Sequence, residues 1–285
     1  MSLTRRILPG AAAATALFVL WLFAVWPPPA WYRTHFPRET AFMRMRGTIE
    51  AYRPVPLDSI SRHVPRAVLV GEDHRYWTHR GIDFIELRRA LGYRRNRFSW
   101  TSPRDVAELL RSLGGVWERR NALRGASTIS QQLAKNLYLS PSRNPLRKLK
   151  EAVTAYRLER ALGKDRVLEL YVNVAELGDG VWGVEAASRK YFGRPAASLT
   201  RSEAAALAGS LPFPLASNPA HQPGRMRWRQ AHILRRMQGR LAERPASVPQ
   251  RIPDAVADSI ARPVVVEPPR DDTEQPEETR DAPVP

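Results

Sequence analysis

Apolar side chains recur with a helical period through most of residues 40–245, and strict alternation of apolar and polar residues is almost absent there. Two helix starts are marked by capping boxes, in which a hydroxyl caps the helix and a longer polar side chain three residues later caps in return. Thr128 with Gln131 forms one of these pairs, and Thr200 with Glu203 forms the other. The sequence therefore predicts a mainly α fold.

A further helix is predicted to begin at Asn144 and Pro145, because Asn is a favoured N-cap and Pro is favoured in the first turn. Another is predicted for residues 166–177. The first of these two helices carries an apolar stripe formed by Leu146, Leu149, Val153 and Tyr156. At about 100° per residue, Glu151 lies opposite this stripe, with Arg147 one turn earlier on the same side. These residues by themselves favour a solvated pair on the helix surface.

The segment 71–83 follows a short apolar run and has an unusual composition for a loop. It places two adjacent carboxylates, Glu72 and Asp73, beside two histidines, His74 and His79, and two aromatic residues. Such a combination points to an active site. Two histidines five positions apart with flanking acids are not an established metal-ligand spacing, so no metal ligand is predicted.

Composition limits the classes of function. The chain has 285 residues, of which 43% are hydrophobic, enough for one catalytic domain with peripheral segments. Its formal net charge of +17 indicates an anionic partner, which can be a phosphate-bearing substrate, an anionic lipid surface or a nucleic acid. With no cysteine, the chain has neither disulfides nor thiol catalysis.

The two ends of the chain differ from its centre. Residues 7–26 form an uncharged, apolar run that is long enough to cross a bilayer, so residues 1–30 are predicted to be an uncleaved transmembrane anchor. In residues 262–285, acidic side chains outnumber Arg by seven to three and Pro is frequent. This composition predicts a disordered acidic tail.

Five segments, in order, resemble the motifs of one family. Residues 72–81 resemble Glu-Asp-x-x-Phe-x-x-His-x-Gly, with Tyr76 in place of Phe, and residues 125–136 match Gly-Ala-Ser-Thr-Ile-Ser-Gln-Gln-Leu-Ala-Lys-Asn. Residues 147–151 fit Arg-Lys-x-x-Glu, and 167–173 and 180–193 fit the last two motifs. The chain thus resembles glycosyltransferase family 51, the glycosyltransferase domain of bacterial peptidoglycan polymerases. No Ser-x-x-Lys tetrapeptide of a transpeptidase domain occurs, so it is similar to the monofunctional biosynthetic peptidoglycan transglycosylases.

The resemblance implies a lysozyme-like glycosyltransferase domain at residues 40–245, with a larger helical lobe and a smaller membrane-facing lobe, preceded by one transmembrane helix. It also implies a single-pass protein of the bacterial cytoplasmic membrane with its catalytic domain on the outer, periplasmic side. Residues 91–124 are longer than the usual link between the first two motifs. They read either as an added amphipathic helix near 106–113 that contacts the membrane or as a plain surface insertion.

By the same resemblance, the chain polymerises lipid II into β-1,4-linked glycan strands with inversion and releases undecaprenyl pyrophosphate. Glu72 is the expected general base. Glu151 is expected to assist departure of the pyrophosphate or to stabilise the donor sugar. The expected substrate-binding residues are Asp73, Tyr76, His79, Ser127, Thr128, Gln132, Lys135, Asn136, Arg147 and Lys148.

The resemblance implies lipid II, the lipid-linked strand and the cytoplasmic membrane as partners, together with other cell-wall synthesis proteins, and no nucleic acid. No cofactor is required by the sequence, although Mg²⁺ or Mn²⁺ can share the binding of pyrophosphate in some family members. Two other functions stay open. A lysozyme-like fold with paired carboxylates is compatible with a peptidoglycan hydrolase, and the charge alone is compatible with a membrane-tethered nucleic-acid-binding protein.

Overall fold

The computed structural model describes residues 3–95, 98–99, 101–115, 127–139 and 144–238. Within these ranges the chain is mainly helical, which confirms the predicted class. The α-helices are α1 (Leu3–Phe23), α2 (Ala41–Arg46), α3 (His63–Glu72), α4 (Phe84–Leu91), α5 (Pro103–Gly114), α6 (Ile129–Tyr138), α7 (Pro145–Val174), α8 (Val184–Phe192), α9 (Arg201–Ser210) and α10 (Gly224–Arg236). Short 3-10 turns lie at Pro29–Arg33, Leu57–Ser59, Tyr76–Thr78 and Ala196–Ser198.

The predicted helix starts are confirmed. Thr128 caps α6 by accepting a hydrogen bond from the backbone of Gln131, whose side chain accepts one from the backbone of Thr128 in return. Thr200 and Glu203 make the same reciprocal pair at the start of α9. Asn144 caps α7 through its side-chain oxygen, with Pro in the first turn. Each start follows from side chains within three residues of the cap, which explains why the local sequence predicted it.

The two helices predicted for residues 144–177 run together as α7, with a break at Gly163. Gly163 has φ 76° and ψ 167°, a backbone conformation that interrupts the helix and that glycine adopts readily. The break divides α7 into an amino-terminal half that carries Glu151 and a carboxyl-terminal half that contains mostly buried residues.

Three short strands follow or face the end of α7. β1 (Ala51–Tyr52) pairs in parallel with β3 (Val181–Trp182), and β2 (Glu176–Gly178) pairs antiparallel with β3. The indole of Trp182 is fully buried and donates to the carbonyl of Thr48 at 3.0 Å. Helix α6 packs along α7, and α9 packs against both α3 and α10. This arrangement fixes α3, α6, α7 and α10, the four helices that supply the candidate site.

The amino-terminal apolar run is helical as α1. Across the described residues, however, no helix is both long enough and apolar enough to cross a membrane, and the predicted transmembrane anchor is not confirmed. Helix α5 confirms the helix predicted near 106–113, whereas other parts of the 91–124 segment and the whole 262–285 tail lie outside the described residues. The domain limits and the division into two lobes stay predictions.

Candidate active site

Glu72 is the last residue of α3, whose buried apolar face fixes the helix in the core. Its side chain is 11% exposed and both oxygens have donors. Arg229 Nη2 donates to Oε1 at 2.8 Å, and Gln132 Nε2 donates to Oε2 at 3.1 Å. Gln132 is itself held by the Tyr171 hydroxyl, which donates to its Oε1 at 2.8 Å. Three helices besides α3 thus fix the orientation of this carboxylate.

Burial raises the pKa of Glu72 above its usual value, because a carboxylate loses hydration when it leaves water. The positive charge of Arg229 is the largest opposing influence on this pKa, followed by the hydrogen bond from Gln132, while Asp73 raises the pKa further and Lys135 lowers it. A raised carboxyl pKa lies closer to neutral pH, where a general base works best.

Asp73 joins the end of α3 to the start of α6. Its Oδ2 accepts from the backbone N–H of Ile129 at 3.0 Å, and His79 Nε2 lies 3.1 Å from both of its carboxylate oxygens. An anion at this helix start is favoured by the helix dipole and by the unpaired N–H groups there. Asp73 therefore fixes the loop of Glu72 relative to α6.

Tyr76 and His79 lie in the packed layer behind Glu72. The Tyr76 ring is fully buried and its hydroxyl donates to the carbonyl of Lys164 at 2.6 Å. His79 Nδ1 lies 3.9 Å from Glu159, a carboxylate that also accepts from Lys164 Nζ at 2.6 Å. The contacts of Tyr76 and His79 described here are made within this buried polar cluster, and the substrate binding predicted for both stays a prediction.

Glu151 lies between two cations. Arg147 Nη1 donates to its Oε2 at 2.7 Å, and the Lys148 ammonium donates to its Oε1. Lys148 Nζ also donates to Ser127 Oγ at 2.9 Å, which connects the start of α6 to the first turn of α7. The expected residues Ser127, Arg147, Lys148 and Glu151 are thus brought together.

The predicted surroundings of Glu151 were wrong. Glu151 is only 3% exposed, whereas Leu146 of the supposed inner stripe is 51% exposed and Leu149 and Tyr156 are exposed as well. The polar side of the amino-terminal half of α7 faces the site. Burial of Glu151 there is tolerated because Arg147 and Lys148 compensate its negative charge. Tertiary contacts overrode the amphipathic pattern.

Lys135 interacts electrostatically with both Glu72 and Glu151. It lies over the Phe42 ring, 5.4 Å from its centroid. Burial lowers the pKa of Lys135, the negative charge of Glu151 opposes this, and Lys148 and Arg147 lower the pKa further. Because Lys135 also acts on the pKa of Glu72, it stands within electrostatic reach of both acids.

The remaining residues of the second motif have different surroundings. Thr128 is buried, and its hydroxyl donates to the carbonyl of Gly81 at 2.6 Å while it accepts the capping bond from Gln131. Asn136 is buried in α6. The hydroxyl proton of Thr128 is thus committed to holding the loop that follows His79.

The sequence did not single out Arg229, Glu159 or Lys164. Arg229 belongs to a helix rich in arginine, and nothing in the local pattern distinguishes it from Arg227. Glu159 and Lys164 lie on either side of the Gly163 break, so ordinary helical spacing does not pair them.

Groups of three or more His, Asp or Glu side chains that could hold a metal ion do not occur among the described residues. The described groups that contact Glu151 are cations, a set that does not fit a divalent ion.

The chain is similar to proteins of one family over most of its length. Residues 93–238 match the family described as Transglycosylase, a range that includes Lys135 and Glu151 and begins after Glu72. A biosynthetic peptidoglycan transglycosylase of Azoarcus sp. (strain BH72) is 39% identical over 235 residues, which cover 76% of this chain and 92% of that protein. The protein of the same name from Bordetella avium (strain 197N) is 36% identical over 235 residues, covering 79% and 90%. That of Thiobacillus denitrificans (strain ATCC 25259 / T1) is 34% identical over 250 residues, covering 85% and 98%.

Proposed function

This chain belongs to the transglycosylase family as a peptidoglycan glycosyltransferase, and we propose that Glu72 is the general base of its glycosyl transfer. The substrates are lipid II as acceptor and the lipid-linked growing strand as donor. The 4-hydroxyl oxygen of lipid II bonds to the anomeric carbon of the strand while the bond from that carbon to the pyrophosphate oxygen breaks. The hydroxyl proton passes to Glu72, and undecaprenyl pyrophosphate leaves with inversion.

The surroundings of Glu72 carry the proposal. The carboxylate is almost fully buried, and it is hydrogen-bonded by both Arg229 and Gln132. Burial favours a proton on it, while the cation keeps the charged form available, so Glu72 can accept a proton and release it again. Assistance by a positioned general base is typically worth about 10²- to 10⁴-fold in rate.

We assign the pyrophosphate to Lys135, Arg147 and Lys148. Arginine offers a planar fork to phosphate oxygens and lysine a point charge. Because both oxygens of Glu151 accept hydrogen bonds from Arg147 and Lys148, its role is to hold these two cations toward the leaving group. This favours assistance to pyrophosphate departure over stabilisation of the donor sugar.

The test is polymerisation of labelled lipid II by the detergent-solubilised full chain, read as a ladder of glycans. We expect Glu72→Gln to lower the rate by about 10²-fold or more. The matched control is Glu39→Gln, which removes the same charge from an exposed side chain. A wild-type ladder from Glu72→Gln would refute the assignment, and soluble fragments released from peptidoglycan would favour the hydrolase instead.

We also propose that the amino-terminal segment attaches the enzyme to the bacterial cytoplasmic membrane. Helix α1 exposes Leu17, Phe18, Leu20, Trp21 and Phe23. It packs against α7, where Lys150 lies over the Trp21 ring at 4.8 Å and Arg157 donates to the carbonyl of Phe23 at 2.5 Å. Apolar side chains bordered by Lys and Arg suit an anionic lipid surface.

Flotation of the full chain with phosphatidylglycerol vesicles tests this attachment. We expect wild type to float with the vesicles and the Phe18→Asp/Leu20→Asp variant to remain at the bottom of the gradient. Leu215→Asp, which alters an exposed leucine outside α1, is the control. Equal flotation of both variants would contradict the attachment.

A further inference from the structure

Arg229 reaches Glu72 from a distant part of the chain. Located in α10, it donates through Nη2 to Glu72 Oε1 at 2.8 Å and to the carbonyl of Gly71 at 3.0 Å. One side chain therefore binds both the carboxylate and the backbone of the last turn of α3. The Nε of Arg229 is buried without a hydrogen-bond partner among the described residues, a cost that packing alone does not explain.

Two glycines bring α10 close enough for this contact. A Cβ atom on Gly71 would meet Ile233 Cδ1 at 3.0 Å, and a Cβ atom on Gly209 would meet the carbonyl oxygen of Met226 at 2.9 Å. The backbones of α3 and α9 thus lie directly against α10. Arg229 therefore projects from a helix that is packed closely against α3 and α9, and this packing supports its contact with Glu72.

The groups around Glu72 make Arg229 its main cationic partner. Helix α6 presents the neutral Gln132 and the cation Lys135 to Glu72, and α7 presents the Tyr171 hydroxyl. Asp73 is the next residue in the chain. Arg229 opposes the effect of burial on the Glu72 pKa more than any other group does. Lys135 contributes less, and its charge is shared with Glu151.

We propose that Arg229 is a positioning residue for the transfer reaction. It keeps the Glu72 carboxylate ionised and correctly oriented between successive additions of lipid II. This role rests on the proposed function of Glu72 as base. When Glu72 takes the acceptor proton, Arg229 loses its charge partner, which favours loss of that proton to water. The ion pair then re-forms and the base is ready for the next lipid II.

The experiment is the pH dependence of kcat/KM for lipid II polymerisation by the full chain in detergent. An opposite charge at this distance shifts a carboxyl pKa by about 1–3 units. We expect Arg229→Gln to move the acid limb of the profile upward by about 1 unit or more, with recovery toward wild-type activity at higher pH. Arg229→Lys should move the limb less. Arg227→Gln, which removes the same charge from an exposed position on the same helix, should leave it in place.

A uniform loss of activity at every pH, with the acid limb unmoved, would overturn the proposal and leave Arg229 a structural residue. If Arg229→Gln does not fold, Arg229→Met, which also removes the charge but keeps a long side chain, is judged by the same criterion. Glu72→Gln separates the two hypotheses. Wild-type polymerisation by Glu72→Gln refutes the base itself, whereas an inactive Glu72→Gln together with an unmoved limb in the Arg229 variants refutes only the positioning role.

Discussion

Lys164 neutralises a buried acidic cluster behind the site, and its removal should destabilise the enzyme strongly. Its ammonium donates to Glu159 Oε1 at 2.6 Å and lies 4.2 Å from the centroid of the Tyr76 ring. The Glu159 side chain is 7% exposed and that of Lys164 20%. Glu159 also accepts from Ser130 Oγ at 2.5 Å. Burial lowers the pKa of Lys164, and the negative charges of Glu159, Asp73 and Asp83 oppose this effect.

The magnitude follows from burial. Removing one partner of a buried ion pair costs about 3–5 kcal/mol, because the other charge is left uncompensated. Lys164 retains some exposure, so we expect about 3 kcal/mol for Lys164→Met, in which the similar side-chain length limits the loss of packing. In a domain of this size, about 2–4 °C of melting temperature corresponds to each kcal/mol. The predicted decrease is therefore about 6–12 °C.

Thermal denaturation of the full chain in detergent measures this decrease. Lys190→Met is the matched control, because Lys190 pairs with Glu50 at 2.7 Å but the two side chains are 42% and 54% exposed. Exposed pairs contribute about 0–1 kcal/mol, so the control should melt close to wild type. The double variant Lys164→Met/Glu159→Gln should recover part of the stability, since it leaves no unpaired charge.

Two results would refute the role of Lys164. One is a Lys164→Met variant as stable as Lys190→Met. The other is a double variant that loses the sum of the two single losses, because a coupled pair gives an interaction energy of about 0.5–3 kcal/mol.

Three further substitutions test other parts of the site. Gly81→Ala should destabilise by about 3 kcal/mol or more, because φ is +83° and the new Cβ would lie 2.8 Å from the Tyr156 backbone nitrogen. Gly193 has φ +67° and nothing within 4 Å, so the control Gly193→Ala should show the conformational cost alone, about 1–2 kcal/mol. Equal melting temperatures of the Gly81→Ala and Gly193→Ala variants would contradict the clash at Gly81. Thr128→Ala should lose about 1–2 kcal/mol through its cap, with Thr128→Ser near wild type in denaturant unfolding. Glu151→Gln should lower kcat about 100-fold by misplacing the cations, and an unchanged kcat would exclude that role.

Helix starts were predictable because their determinants are local. Thr128, Thr200 and Asn144 each satisfy backbone groups within three residues, so the sequence contains the whole interaction. The position of the break in α7 was also predictable in part from local sequence. Gly163 separates two helical patterns, although only the structure gives its positive φ.

The environment of Glu151 was not predictable from periodicity. The pattern rule assigns the apolar side of a helix to the core, yet Leu146 and Leu149 are exposed and Glu151 is buried. The rule failed because the stripe lies on the side of α7 away from the site, while Arg147 and Lys148 compensate the inward carboxylate. Partners on the same helix were visible in the sequence, but the side on which α6 packs was not.

Arg229 was unpredictable for a different reason. It lies 157 residues from Glu72, and its identity as a partner depends on the close contact of α10 with α3. One arginine among several in α10 has no local signature. A pairing that depends on two glycines, Gly71 and Gly209, on different helices is a property of the packed structure.

The two carboxylates differ in their donors, and this difference divides the chemistry between them. Both oxygens of Glu151 accept from cations, Arg147 and Lys148, to which the proposed function assigns the pyrophosphate together with Lys135. Glu72 accepts from one cation and one neutral amide, so less positive charge opposes a proton on it. Under the proposed function, Glu151 anchors the two cations that it contacts, whereas burial raises the pKa of Glu72 and suits it to accept the proton. This difference in donors supports the proposal that the proton goes to Glu72 and the pyrophosphate to the cations that Glu151 holds.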